Sequence, residues 1–314
     1  MKTAFLFPGQ GAQNIGMGRQ VAQAFPAAAQ IFKKANNILA FDLSNICFDG
    51  PTVQLNTTSI SQPAIFVTSA AILEVLRTNP PTKDLRPDAT AGLSMGEYTA
   101  LYAAGVISFE DALMLVHKRG QAMQAAADAT NGTMVSIIGL DQEHVNRLCS
   151  QASEGEVLAA VNFNCPGQIV ISGSKPACKR AEELATQYGA IKAVPLEVAG
   201  AFHTEMMAAA ADTLRQALLN CHIADPSDIK VIANINADYY QSGEKIVEGL
   251  TTQLTSPILW QKCMERLIAD GVQDFYEIGP GRVLTGLMKR ISRKTKVINV
   301  STLQAINELS KVQV

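Results

Sequence analysis

Apolar positions along the chain follow two periods. A continuous apolar run at 3–7 (TAFLF) stops at Pro8, as a strand buried on both faces reads when it enters a turn. Helical spacing follows over about 17–38 and again over 43–47 (LSNIC). Gln62-Pro63 opens a further helix, in which Ala64, Ile65, Val67, Ala70, Ile72, Leu73 and Leu76 are apolar. Such near-continuous apolarity predicts a helix sunk in a large core. A proline-rich connection (Pro80, Pro81, Pro87) leads to a short, weak strand at 88–91 and a helix over 97–104. The next helix, 109–124, carries Leu113, Leu115, Val116 and Met123, and Arg119 lies on the same run. Arginine usually occupies solvated faces, so Arg119 is either an ordinary surface residue or a buried functional one.

Residues 133–198 read differently. Strands are predicted at 133–139, 157–163, 168–172 and 190–196, and helices at 142–150 and 175–188. That order, β-α-β-β-α-β, is the ferredoxin-like pattern. It predicts an inserted small subdomain at 132–198, with residues 1–131 and 199–314 forming the larger unit. Helices at about 204–220, 243–253 and 257–270 follow, with a strand at 230–234; a final strand at 274–277 leads through Gly279-Pro280-Gly281 into a last helix. Strands and helices alternating on both sides of the insert predict an α/β fold with a mainly parallel, helix-covered sheet.

Composition narrows the class. At 314 residues the chain is one large domain or two smaller ones. With 47% hydrophobic and 17% charged residues it has a globular balance. A net charge of −2 gives no reason to expect nucleic acid. Pro8-Gly9 cuts the N-terminal apolar run short, so it reads as a strand and not a signal peptide. No apolar run is expected to reach membrane-spanning length. The six cysteines (Cys47, Cys149, Cys165, Cys178, Cys221, Cys263) are scattered without CxxC spacing. That argues against a metal site and for free thiols in a reducing cytoplasm.

Candidate chemistry centres on Gly92-Leu93-Ser94-Met95-Gly96, which has the G-x-S-x-G form of a nucleophile elbow. A sharp strand-to-helix turn leaves no room for side chains two positions either side of the serine. The acid that follows, Glu97, sits near the positive end of the predicted helix. Read alone, the pattern fits a catalytic serine or a glycine-flanked serine in a tight turn. Pro8-Gly9-Gln10-Gly11 likewise fits a ligand-facing loop or an ordinary βα turn. A serine nucleophile needs a base whose titration shapes the pH profile, here expected near neutrality. The chain offers His117, His144, His203 and His222. His203 alone follows a small-residue bend, where the insert rejoins the larger unit.

Taken in order, Pro8-Gly9-Gln10-Gly11, Gly92-Leu93-Ser94-Met95-Gly96-Glu97-Tyr98, Arg119, the run from Val161-Asn162-Phe163-Asn164 to Pro166-Gly167-Gln168, and Gly200-Ala201-Phe202-His203 form a set. Gln253 with Pro257 and Trp260, and Glu277-Ile278-Gly279-Pro280-Gly281, complete it. This set resembles the signature of malonyl-CoA:acyl-carrier-protein transacylases, end to end. The resemblance implies a large α/β-hydrolase-like core with a ferredoxin-like insert. It implies Ser94 as nucleophile and His203 as base, oriented by the backbone carbonyl of Gln253. It also implies an oxyanion hole from the N–H groups of Gln10 and Met95, and Arg119 as a clamp for the malonyl carboxylate. Asn162 would line the cleft, and Phe202 is the aromatic typical of malonyl-selective members. Many relatives carry histidine before the nucleophile where this chain has Leu93, which removes a polar group from the acyl pocket.

The implied partners are malonyl-CoA, as substrate, and an acyl carrier protein, with no permanently bound cofactor and no metal. Lys289, Arg290, Arg293, Lys294 and Lys296 are a basic cluster that would suit an acidic carrier or form a solvated face. Two other classes fit parts of the pattern: a serine hydrolase acting on acyl thioesters, and a non-catalytic carrier-docking module.

Overall fold

The computed structural model describes residues 2–312. Within them the strands, in chain order, are β1 (Lys2–Phe7), β2 (Ala89–Gly92), β3 (Gly132–Ile138), β4 (Leu158–Cys165), β5 (Gln168–Ser174), β6 (Lys192–Pro195), β7 (Lys230–Val231), β8 (Val272–Ile278) and β9 (Val297–Val300). They form a five-stranded sheet, β7-β2-β1-β8-β9, and a four-stranded sheet, β4-β5-β3-β6. All pairings in the first are parallel and all in the second antiparallel. The α/β class and its mainly parallel sheet are thus as the sequence pattern predicts.

Strand β1 is central because both its faces are apolar. Phe5 and Phe7 join a core with the helices Thr58–Thr78 and Phe109–Asp128, while Ala4 and Leu6 join another with Trp260, Phe275 and Leu287. Successive strand side chains point to opposite faces, so one short apolar run serves two helical layers. The second sheet is built from residues between 132 and 195 and packs on the helices Gln142–Ser153 and Lys175–Leu184. Backbone hydrogen bonds tie the two sheets' surroundings together: Ile258 N–H donates to Val161 O (2.7 Å) and Phe163 N–H to Ile258 O (2.9 Å).

Several elements depart from the sequence pattern. The 17–38 segment is two helices, Arg19–Ala24 and Pro26–Leu39, because Pro26 cannot continue a helix but can begin one. The apolar helix begins at Thr58, not Gln62, and Pro63 lies inside it. Its first turn is polar (Thr58, Ser59, Ser61), which hid it from an apolar count. Pro63 offers no N–H to the carbonyl four residues back, that of Ser59. Contrary to expectation, this 21-residue helix is long and apolar enough, by length and composition alone, to cross a membrane, with an 18-residue window of mean hydropathy 1.4. It is instead a core helix, with 83% of that window buried. The strand expected at 230–234 is only Lys230–Val231. β8 is not the last strand: after the helix Val283–Ile291 the chain adds β9 and the helix Leu303–Val312. Four residues beside a basic run give too little pattern to read, and pairing with β8 defines the strand.

The glycines of the elbow are explained by contact. A Cβ on Gly92 would lie 1.9 Å from the Gly96 backbone, and one on Gly96 would lie 2.3 Å from Phe7 O. A Cβ on Gly9 would lie 2.3 Å from Leu93 O. The loop after β1 therefore rests directly on the turn after β2. Gly92→Ala should destabilise the protein by about 3 kcal/mol, because rigid backbone must move to admit a methyl group. Urea unfolding measures this, and a change below about 0.5 kcal/mol would contradict the close approach.

Candidate active site

Ser94 lies between β2 and the helix Gly96–Ala103, with φ of 51°. A left-handed conformation is strained for a residue with a side chain and persists only where neighbours enforce it. Asn234 is the enforcer. Its Oδ1 accepts from Ser94 N–H (2.7 Å) and its Nδ2 donates to Gly92 O (2.8 Å), clamping both arms of the turn.

The hydroxyl is 3.0 Å from His203 Nε2. His203 is 5% exposed, also has a left-handed backbone (φ 63°), and its Nδ1 is 2.8 Å from the Gln253 carbonyl oxygen. A carbonyl can only accept, so the proton sits on Nδ1 and Nε2 is left to accept from Ser94. Burial, and then the charge of Arg119, lower the imidazole to about 4. This corrects the expected titration near neutrality: protonation would bury a second cation beside the first.

Arg119 reaches the same hydroxyl. Nη2 donates to Ser94 Oγ (3.1 Å) and to Gln253 Oε1 (3.0 Å), and Nη1 donates to Gln62 Oε1 (2.8 Å). The residue is 1% exposed, and its guanidinium lies 5.8 Å from the centroid of the Tyr98 ring. Gln253 acts twice, since its Nε2 also donates to Ser94 O (3.1 Å) and to Glu97 Oε2 (3.0 Å).

Glu97 is more than an acid at a helix start. It is 1% exposed, accepts from Asn234 N–H (3.0 Å), and accepts from the Tyr240 hydroxyl. Burial pushes its carboxyl up to about 7, against these donors and Arg119, which favour the ionised form. Gln62, Asn234 and Tyr240 had no signal in the sequence, because each reaches the site from a distant segment. Glu97 did carry one: an acid in the otherwise apolar surroundings of the elbow.

Around this group lies a cleft of about 470 Å³, lined by Gln10, Leu93, Asn162 and Phe202 as well as Ser94, Arg119 and His203. Val283 and Leu287 line it from the helix Val283–Ile291, whose first N–H groups are capped by the Glu277 carboxylate (Leu284 N, 2.8 Å; Thr285 N, 2.9 Å). Met95 is buried beneath Ser94, and among the described residues neither its N–H nor that of Gln10 meets a protein acceptor. Asn162 Oδ1 is buried without a partner. The other histidines lie elsewhere. His117 packs on Phe41, His144 pairs with Asp141 at a helix start, and His222 is exposed.

The acyl transferase domain family matches residues 4–311. The malonyl CoA-acyl carrier protein transacylase of Bacillus subtilis is 45% identical over 306 residues, covering 97% of this chain and 95% of the relative. That of Haemophilus influenzae is 42% identical, covering 99% and 98%. Among solved structures, a malonyl-transacylase in complex with its type II PKS acyl-carrier protein superposes with a TM-score of 0.95 at 39% identity, covering 99% of this chain and 100% of that one. An acyl carrier protein S-malonyltransferase from Vibrio cholerae superposes with a TM-score of 0.93 at 40% identity, covering 98% and 100%.

The serine–histidine geometry can be tested without a natural substrate. Labelling of Ser94 by a fluorophosphonate probe should fall by roughly two to four powers of ten in His203→Ala. In the unaltered protein only the neutral imidazole acts as base, so labelling should persist on the acid side of neutrality and fall as pH drops through about 4. A fall centred near 6.5, the ordinary histidine value, would mean the imidazole is not desolvated as found.

Proposed function

The chain belongs to the acyl transferase family, among the malonyl-CoA:acyl-carrier-protein transacylases, and from that premise we propose that it transfers malonyl through an ester on Ser94. The observation that carries the mechanism is one hydroxyl held by both His203 Nε2 (3.0 Å) and a buried arginine (3.1 Å). In the first half-reaction Ser94 Oγ attacks the thioester carbonyl of malonyl-CoA while His203 Nε2 takes the hydroxyl proton. The tetrahedral intermediate's oxyanion is received by the N–H groups of Gln10 and Met95. The C–S bond then breaks, and the imidazolium returns the proton to the departing sulfur, releasing CoA. The second half runs in reverse, with the phosphopantetheine thiol of an acyl carrier protein as nucleophile.

The Gln253 carbonyl replaces the carboxylate of a Ser-His-Asp triad. It fixes the tautomer without adding a buried charge. Arg119 receives the malonyl carboxylate through parallel donors, and Phe202, Asn162 and Leu93 shape the acyl pocket. This chemistry calls for no resident cofactor or metal. The carrier is proposed to dock at the exposed cluster Lys289, Arg290, Arg293, Lys294 and Lys296. Arg290 Nη1 donates to Gln168 Oε1 (3.1 Å), a residue of the cleft wall, so the cluster begins at the cleft's edge.

Ser94→Ala should gain no malonyl mass after incubation with malonyl-CoA, whereas the unaltered chain should gain one malonyl group by intact mass spectrometry. A stable adduct on the alanine variant would overturn the assignment. Arg119→Ala should lower kcat/KM for malonyl-CoA by roughly two to four powers of ten, the consequence of stranding a desolvated carboxylate, and should spare acetyl-CoA. Equal losses for both substrates would make Arg119 a structural residue.

A further inference from the structure

A buried arginine normally ends on a carboxylate, because desolvating a charge costs several kcal/mol unless an opposite charge meets it. Arg119 does not. Its terminal nitrogens donate to two amide oxygens and one hydroxyl, all neutral: Gln62 Oε1, Gln253 Oε1 and Ser94 Oγ. Its Nε has no partner, and the Tyr98 phenol beneath it is held neutral by burial. The carboxylate of this region, Glu97, is kept behind Gln253, whose amide is wedged between the two with Oε1 on Arg119 and Nε2 on Glu97. That amide cannot be reversed. Arg119 has no acceptor to offer it and Ser94 O has no donor.

We propose that Gln62 and Gln253 are specificity-determining residues, which hold Arg119 by neutral acceptors and keep Glu97 one amide away, so that no carboxylate contacts the guanidinium until an acyl carboxylate enters. Amide oxygens orient the guanidinium as a carboxylate would but leave its net charge free. A carboxylate at either position would form the ion pair internally. The substrate's carboxylate would then meet a neutralised site and pay its desolvation without return. Selectivity on this account depends on two glutamines from different helices, Thr58–Thr78 and Gly243–Gln253, and not on the arginine alone. The proposal rests on the reading of Arg119 as the malonyl clamp.

Gln62→Glu and Gln253→Glu are near-isosteric and convert each acceptor to a carboxylate. The first does not touch Glu97. In the second, the new carboxyl and Glu97 would share a proton, with the charge settling on the oxygen nearest Arg119. Steady-state kinetics of Ser94 acylation are measured with malonyl-CoA and acetyl-CoA, with Arg119→Ala alongside. Gln62→Glu should raise KM for malonyl-CoA about 30-fold or more, while acetyl-CoA kinetics change less than about threefold. Gln253→Glu, which also alters the contacts to Ser94 and Glu97, should lower the malonyl-to-acetyl preference by a similar factor whatever its loss of overall rate. A merely structural role for the glutamines predicts parallel losses for both substrates, and that result would overturn the proposal. So would an unchanged malonyl preference in Gln62→Glu, the variant least able to disturb folding. If Arg119→Ala abolishes the preference while the glutamate variants keep it, the neutral-acceptor account alone fails. If Arg119→Ala keeps it, the clamp reading fails and takes this proposal with it.

Discussion

A desolvated guanidinium that must stay charged is the constraint on which the site depends. Arg119 is 1% exposed, so it needs fixed acceptors, and these come from separate parts of the chain. Gln62 comes from the core helix, Gln253 from the helix before the Ile258 junction, and Ser94 from the elbow. Because Gln253 also orients His203 through its carbonyl, cation and base are set by one residue. The same cation helps keep the imidazole neutral. A neutral imidazole is the form that can accept a proton from the serine hydroxyl, so on the proposed reading the group that holds the anionic substrate also readies the base.

Backbone packing brings these groups within reach. The β1 loop rests on the β2 turn with no space for a Cβ at Gly9, Gly92 or Gly96. That contact places Gln10 on the cleft wall beside the elbow, where the proposed oxyanion hole would draw on both loops. Asn234, from the segment after β7, holds the strained turn, and its backbone N–H reaches Glu97. The elbow is thus pinned from three strands of the parallel sheet. A strained φ at Ser94 is maintained by this over-determination and not by the local sequence.

The antiparallel sheet supplies the cleft's other wall through Asn162, Asn164, Gln168 and Val170. Its attachment is firm. Val161 and Val170 belong to the same core as Phe7 and Met95, and backbone hydrogen bonds cross at Ile258. The cleft therefore lies between two sheets that share one core, an arrangement that would hold the small acyl group of the proposed reaction in one pose.

Much was legible in the sequence, for local reasons. The apolar run at β1, the β-α-β-β-α-β order of the antiparallel sheet and the glycine spacing of the elbow are patterns over a few residues, set by sterics and burial. Ser94, Arg119 and His203 stood out because each broke the pattern around it. Gln62, Asn234 and Tyr240 did not, because a glutamine, asparagine or tyrosine looks ordinary until the fold gives it a partner more than 50 positions away. The start of the helix at Thr58 and the existence of β9 were likewise decided by packing and pairing, which a local period does not record. The imidazole's fall to about 4 belongs to this second kind too. Sequence supplies a histidine with an ordinary titration, and only burial beside a particular cation moves it.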